Sequence, residues 1–377
     1  MSNASYTNQK KPLVFSRNQI DKAARDIRHG CEKSEDKLVA IQKVQNYREF
    51  HLYPLMLIKN HLARTSAKVN GNIIVARRLK RLSTIIDKLE RPTLDGVNVN
   101  AIKLTRMQDI AGCRAIVKNI AELKALESRL QKSKSVHKIV KQHDYLTPKE
   151  SGYGGVHLVY SCYENQNEDH PWKKSKVEVQ LRTDLQHAWA TSLEIIDTLE
   201  QISLKTRLEG HEDWREFFSL AGKLVANDEG ACVIPEDELQ IYIQKFVNLE
   251  RELKVRKKLN RYRLAIDFTT RNAANPAKRI SGMSLVTFHK ALDMTKEKQV
   301  RVRVRHFDRS ASDEALEELN QADLDTQILL AVLVSAPDVR ALKKAYPNYF
   351  GSTQKFVKFI DKQFEKHTLN FDLTDIL

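Results

Sequence analysis

Two acids in otherwise apolar β-type runs are the first residues in this chain whose placement suggests chemistry. Glu178 lies inside Val177–Leu181, and Asp109 directly precedes Ile110–Val117. An acid within an apolar strand is costly to bury without a partner. Glu178 and Gln180 are two residues apart and so share one face of a strand. If Asp109 ends a neighbouring strand, the two carboxylates can share a Mg²⁺. That ion takes one or two carboxylates and completes its shell with water and substrate phosphates. Taken singly, each acid reads equally well as a strand-end or surface residue.

Cations and a glycine-rich loop flank these acids. Arg78-x-Lys80 and Lys88 fall in the basic segment IIVARRLKRLSTIIDKL, residues 73–89. If that segment is helical, Arg77, Arg81 and Lys88 share a neighbourhood while Arg78 and Lys80 point elsewhere. Cations spread along such an edge can hold several phosphates of one nucleotide, and they can also form a plain solvated face. The loop Asp144–His157 places Gly152 and Gly154 on either side of Tyr153. Glycine allows close backbone approach to a ligand. A ring freed in this way can stack on a base, an interaction of roughly 1–3 kcal/mol. Lys149 and His157 add a cation and a titratable donor, although a hairpin turn would have similar composition.

These candidates need elements to hold them. The chain has 377 residues, 41% apolar and 29% charged, with a net charge of +15. Its length suits two domains, its composition suits folded cores, and its charge favours a polyanionic partner. The most apolar run, Ile328–Ala336, is too short to span a bilayer, so no membrane role is expected. Met1–Lys11 lacks the apolar core of a secretion signal, which points to the cytoplasm. Cys31, Cys113, Cys162 and Cys232 lie far apart, at neither zinc nor disulfide-framework spacing.

Residues 17–65 read as helices broken near Gly30 and Pro54. Strands are expected at Ile110–Val117, His137–Lys141, Val156–Tyr163 and Lys176–Arg182, with helices at Ile120–Lys132 and Asp184–Leu199. An amphipathic helix follows at 207–226. A long connector helix from about Pro235 to Leu259 is marked by Leu239, Tyr242, Phe246, Leu249 and Leu253. Strands at 264–268, 284–289, 299–307 and 328–334, with helices at 312–319, 338–345 and 353–364, make a second, smaller α/β unit. The expected division is 1–230, a connector at 231–261, and a regulatory domain at 262–377.

Read in order, Arg-x-Lys, Asp-Ile-x-Gly-x-Arg, Asp-Tyr…Pro-Lys-x-x-Gly-Tyr-x-x-x-His and Glu-x-Gln-x-Arg-Thr-x-x-x-His resemble the RelA/SpoT nucleotide pyrophosphokinase (alarmone synthetase) domain. The resemblance covers about residues 40–230, including Trp214-x-x-Phe217-Phe218. It implies a mixed α/β (α+β) fold, a mixed sheet flanked by helices and related to nucleotidyltransferases. It also implies transfer of the pyrophosphoryl group of ATP to a ribose 3′-hydroxyl. On the matching positions, Arg78 and Arg114 would face the adenine, and Lys80 and Lys88 would hold ATP phosphates. Asp109 and Glu178 would bind Mg²⁺, with Glu178 also helping to deprotonate the attacking hydroxyl. Tyr153 would stack on the acceptor base, and Lys149, His157 and Gln180 would line the acceptor side. Too few residues precede this region for a hydrolase domain, and the tail is too short for a ribosome-associated half, so a small single-site synthetase is expected.

Three departures bear on the acceptor. His143 stands where the family usually has Lys, the Tyr145–Lys149 stretch is one residue shorter, and Gly154-Gly155 replaces a polar or basic residue and Ser. Each weakens the grip on the 5′-phosphates of GDP or GTP. Tyr346-Pro347-Asn348-Tyr349 resembles the YxxY element of CapRel-type fused toxin–antitoxins. That group has a C-terminal antitoxin domain described as zinc-finger-like without its metal. The resemblance implies a toxin that pyrophosphorylates the 3′-CCA end of tRNA. Tyr346 and Tyr349 would block its ATP site until a phage protein, typically capsid, engages the tail. Alternative acceptors are GTP or GDP, giving (p)ppGpp, or adenine nucleotides. Arg251, Lys254, Arg256, Lys257, Lys258, Arg261 and Arg263, with Arg301, Arg303 and Arg305, offer basic surface suited to tRNA or simply to solvent.

Overall fold

The computed structural model describes residues 8–31, 33–90, 102–166, 169–199, 202, 210–260, 283–289, 301–308, 311–334 and 354–374. Three helices lead the chain: α1 (Arg17–His29), α2 (Ser34–Phe50) and α3 (Leu52–Ala67). A capping box opens α1, with Gln19 and Ser16 satisfying each other's backbone N–H groups. Gly30, at φ 82°, ends it. The break expected at Pro54 falls at His51, and Pro54 sits in the first turn of α3, where a missing N–H is tolerated.

The basic segment at 73–89 is not one helix. It divides into strand β1 (Ile74–Leu79) and helix α4 (Leu82–Glu90). Ile74 and Val75 favour extended backbone, and β1 gains a full antiparallel ladder against β2 (Ala111–Val117). Helix α5 (Ile120–Gln131) and strands β3 (Lys138–Tyr145), β4 (Gly155–Ser161) and β5 (Lys176–Thr183) complete a mixed sheet in the order β1-β2-β5-β4-β3. Only β2 and β5 run parallel; the remaining pairs are antiparallel.

Strand alternation divides the sheet into two chemically different faces. Ala111, Cys113, Ala115, Val117, Val156, Leu158, Tyr160, Val177, Val179 and Leu181 pack with Leu55, Ile58 and Leu62 of α3 and with Leu123, Leu126 and Leu130 of α5. The intervening residues, among them Arg114, His157, Glu178, Gln180 and Arg182, occupy the opposite face.

Helices α6 (Asp184–Leu199), α7 (Glu212–Asp228) and α8 (Glu236–Leu253) build a second core around Trp189, Phe217, Phe218 and Phe246. The expected connector helix is interrupted at Lys254, which takes a left-handed conformation at φ 54°. Arg256 holds that corner by bonding the buried Glu250 (3.1 Å) and Asp361 (3.0 Å). Leu239, Tyr242, Phe246, Leu249 and Leu253 all face this core.

Strands β6 (Met283–His289), β7 (Arg301–Phe307) and β8 (Ile328–Val334) form an antiparallel sheet in the order β7-β6-β8, crossed by helix α9 (Ser312–Leu324). Leu285, Phe307, Ala315, Leu316, Leu319 and Ala331 make its core, against which Leu52 of α3 packs. The last helix, α10 (Gln354–Thr374), inserts Phe356, Phe359 and Ile360 into the core of α6, α7 and α8. Part of the expected 262–377 unit therefore packs inside the first unit's core. The strand and helix expected at 264–268 and 338–345, with Arg261, Arg263, Tyr346 and Tyr349, lie outside the described residues.

Candidate active site

The pairing registers assemble the polar face. β2 and β5 run parallel with Gly112 opposite Glu178 and Arg114 opposite Gln180. In β1, Arg78 stands opposite Gly112 and Ala76 opposite Arg114. Arg78 and Arg114 are thus diagonal neighbours on one face, with only Ala76 and Gly112 as small residues between them. In β4, His157 stands opposite Gln180 on one side and His143 on the other.

A cavity of about 140 Å³ opens over this row, its lining including Arg77, Arg78, Lys80, Asp109, Gly112, Arg114, Glu178 and Gln180. Both candidate metal-binding acids line it. Lys80 Nζ lies 2.8 Å from Asp109 Oδ2, and Lys88 Nζ lies 3.2 Å from Asp109 Oδ1. Burial pushes the Asp109 carboxyl upward, but the two ammonium groups outweigh it and hold the acid below its usual range. Burial also raises Glu178, and there the hydrogen bond and charge of His157 win, so Glu178 too is held low. Burial lowers Lys80, although Asp109 acts in the opposite direction.

A hydrogen-bonded chain leads away from Glu178. His157 Nδ1 is 3.0 Å from Glu178 Oε1, and Gln180 Nε2 donates to Glu178 Oε2 at 2.7 Å. Arg182 donates to Gln180 Oε1 at 2.9 Å and to the Tyr153 hydroxyl at 2.8 Å. That hydroxyl also bonds His157 Nε2. The Tyr153 ring is edge-on to Tyr145, His157 and Trp189, with the Arg182 guanidinium 5.0 Å from its centroid. Lys149 Nζ lies 4.0 Å above the Tyr145 ring, and His143 stacks on the same ring.

The loop that carries Tyr153 is pinned from below. Gly152 takes φ 81° and presses on α7 at Gly222, where a Cβ would overlap the Gly152 carbonyl. Ser219 Oγ donates to the Glu150 carbonyl at 2.5 Å. Gly155, at φ 131°, has no room for a side chain beside the Leu181 carbonyl. A sheet-packing constraint thus accounts for this glycine, in the Gly154-Gly155 pair where the family usually has polar residues.

Three contributors carry no role in the sequence reading. Arg182 fixes Tyr153 and Gln180. His187 Nδ1 sits 3.3 Å from Arg114 Nη1. Burial, then Arg114 and Arg182, drive its pKa well below the usual value and keep it neutral. Both residues belong to the Glu-x-Gln-x-Arg-Thr-x-x-x-His pattern, and period-two alternation from Glu178 would have placed Arg182 on the polar face. The third, Arg48, lies in α2 and has no comparable sequence signal.

Thr183 closes β5 and opens α6 in a reciprocal pair with Gln186, each side-chain oxygen accepting from the other's backbone N–H at 3.1 Å. Its hydroxyl donates to Glu229 Oε2 at 2.8 Å. Burial lifts Glu229 to about 7; the Thr183 bond opposes this, while Asp228 and Asp184 add to it. The folded chain therefore binds a proton more tightly than the unfolded chain. That contribution is complete below the ordinary carboxylate value and is lost as pH rises through about 7. Glu229→Gln should raise the unfolding midpoint relative to the parent at about pH 8 and leave it unchanged at about pH 4. Equal shifts at both would show that Glu229 does not titrate in this way.

The second basic region is partly committed to other contacts. Arg251, Lys254, Arg256 and Lys257 line a cavity of about 450 Å³ with Glu250 and Asp361. Arg256 is ion-paired there, and Arg251 and Arg256 lie over the Phe364 ring. In β7, Arg305 pairs with Glu314 and Glu318 of α9.

Comparison with known proteins places this arrangement in context. Residues 77–195 match the RelA_SpoT family model, described as a region found in RelA / SpoT proteins. It is 32% identical over 120 residues to the GTP pyrophosphokinase YjbM of Bacillus subtilis (strain 168), covering 31% of this chain and 52% of that protein. It is 30% identical over 115 residues to the GTP pyrophosphokinase YwaC of the same organism, covering 30% of this chain and 52% of the relative. The chain thus spans about half the length of the curated relatives it matches. Among solved structures, small alarmone synthetase 1 from Bacillus subtilis aligns at 22% identity with a TM-score of 0.38, covering 52% of this chain and 97% of that one. Among the described residues, no helix is long and apolar enough to cross a membrane.

Proposed function

We propose that this chain is an ATP-dependent pyrophosphokinase that transfers the β,γ-diphosphate of ATP to a ribose 3′-hydroxyl. The observation that carries this reading is the shared cavity. Two ionised carboxylates, Lys80 and a diagonal pair of arginines line it, and Lys88 reaches Asp109 from α4. Arg78 and Arg114 are spaced by small residues, as a flat base between two guanidiniums requires. Lys80 and Lys88, which share the single Asp109 carboxylate here, would turn their ammonium groups to phosphates when a nucleotide binds. Among the described residues no cluster of three or more metal-binding side chains occurs. A two-carboxylate donor set fits Mg²⁺, whose remaining ligands would be phosphate oxygens and water. When bound, the ion would neutralise charge on the transferred group.

The acceptor O3′ forms a bond to Pβ while the Pβ–O bond to the α-phosphate breaks, releasing AMP, and the hydroxyl proton leaves toward Glu178. Carboxylates held below their usual range are good metal ligands and weak bases. The proton therefore departs as the new bond forms, which suits a loose phosphoryl-type transition state. His157 and Gln180 fix the Glu178 carboxylate, and Tyr153, Lys149 and His157 face the acceptor side.

For the acceptor, the reading is the 3′-CCA end of tRNA. In support, His143 stands where the family usually has Lys. Burial and then Lys141 keep His143 below its ordinary pKa, and Gly154 and Gly155 bring no cation. The alternative, GTP or GDP, is favoured by the similarity to the two GTP pyrophosphokinases of Bacillus subtilis. Transfer of label from β- or γ-labelled ATP, resolved over tRNA, GDP, GTP and AMP, separates the two. Label on guanine nucleotides and never on tRNA would overturn the tRNA reading.

The 262–377 unit is read as regulatory, with a phage protein as its trigger. In support, β8, the last described strand before Tyr346 and Tyr349, runs beside β1, which supplies Arg78. Replacing Tyr346 and Tyr349 together by alanine should make the protein constitutively toxic at normal expression. Unchanged growth would refute the plug.

A further inference from the structure

The Lys80 corner is held from a direction that the site itself does not explain. Arg48, at the end of α2, is 1% exposed, among the most deeply buried large side chains in the molecule. Its Nε donates to the Lys80 carbonyl at 2.7 Å, and its Nη1 donates to Asn320 Oδ1 of α9 at 2.8 Å. Asn320 Nδ2 in turn donates to Glu49 Oε1 at 3.2 Å. The Lys80 N–H meanwhile donates to the Ile110 carbonyl at 2.8 Å. One peptide corner is therefore fixed from the sheet on one side and, through a single guanidinium, from the second domain on the other.

This corner sets both phosphate-facing lysines. The Lys80 side chain leaves from it directly. Helix α4 starts immediately after it, with Arg81 accepting the first helical bond from Ile85, and carries Lys88 two turns on. Helix α9 also packs against α4. A buried guanidinium needs partners for its donors, and loss of one leaves a costly unsatisfied group. Without Asn320, Arg48 would be driven to reorient, and the corner it holds would move with it.

We propose that Arg48 is a positioning residue for the donor half of the site, and that Asn320 of α9 completes it. The second domain then has a supporting role distinct from any blocking one: α9 must stay docked for Lys80, Lys88 and Asp109 to keep their geometry. An activating trigger would have to free the donor pocket while leaving α9 in place. This inference rests on the ATP reading above.

Binding of α,β-methylene ATP with Mg²⁺ to the full chain, with Tyr346→Ala and Tyr349→Ala in the parent and every variant so that the proposed block is absent, measured by calorimetry beside thermal unfolding, tests it. Asn320→Ala should weaken the analogue about tenfold, more than its small loss of midpoint accounts for. Arg48→Lys, which keeps the charge but cannot span both carbonyls, should do the same. Combining the two should weaken binding no further than either alone, because both break one bridge. Asn320→Ala that binds the analogue as tightly as the parent, with only a lower midpoint, would reduce the bridge to a structural contact and overturn the proposal. Tighter binding or faster transfer would overturn it in the opposite sense, making the α9 contact inhibitory. A parent chain that does not bind the analogue at all would instead sink the ATP reading itself.

Discussion

Asp109→Asn and Glu178→Gln should each cut label transfer from ATP by about a thousandfold or more, while the chain remains folded. Both acids line one cavity, and each is held ionised by a different set of partners: Asp109 by Lys80 and Lys88, Glu178 by His157 and Gln180. Removing either charge halves the donor set available to Mg²⁺. The two substitutions should differ in nucleotide binding. Asp109→Asn releases Lys80 and Lys88 from their counter-charge, so analogue binding without Mg²⁺ should hold or strengthen while turnover is lost. Glu178→Gln leaves the lysine pairs intact and breaks the chain toward His157 and Tyr153, so its defect should lie in turnover with analogue binding unchanged. A variant of either acid that retains transfer within about tenfold of the parent would remove that acid from the chemistry.

Phe356→Ala should destabilise the chain by about 3–5 kcal/mol, a large part of a typical total of about 5–15 kcal/mol. Phe356 is fully buried and stacks on Phe218 at 6.2 Å and on Phe359 at 6.0 Å. Phe218 in turn accepts a hydrogen bond from Trp189 Nε1 through its carbonyl, and Trp189 lies edge-on to Tyr153. The packing of α10 thus supports the wall on which Tyr153 rests. Ion pairs at its rim, Lys362 with Asp228 at 2.7 Å and Lys355 with Asp184, are exposed and contribute little beside the aromatic core. A chain ended before Gln354 should therefore be poorly folded, with a cooperative transition lost from circular dichroism. If the shortened chain keeps the parent's midpoint and gains activity, α10 belongs to the removable part of the molecule and the packing argument fails.

Much of the site was legible because strands have a period of two. Once Val177, Val179 and Leu181 are assigned to a core, Glu178, Gln180 and Arg182 must share the other face. The same alternation in Ala111–Val117 puts Arg114 with Gly112. The segment at 73–89 was less legible. Its apolar spacing fits a helix, and only pairing with β2 makes 74–79 extended, because a ladder of hydrogen bonds outweighs local preference there. The long repeat from Leu239 to Leu253 located a real helix but not its end, since the break at Lys254 depends on a network in which Arg256 joins the buried Glu250 to the more exposed Asp361 of α10.

The residues themselves determined the chemistry on offer: two acids in apolar strands, cations before them, a tyrosine between glycines, and the face on which each strand residue must lie. Those properties are local, since side-chain type and backbone period are fixed by the chain. The tertiary structure decided which of them meet. The Gly112–Glu178 register brings Glu178 into the cavity of Asp109, the Lys80 corner turns two lysines onto one carboxylate, and α10 closes a core begun far earlier in the chain. Contacts such as Arg48 with Lys80 and Asn320 join positions far apart in sequence, and only the folded packing selects them from the many polar pairs the chain could form.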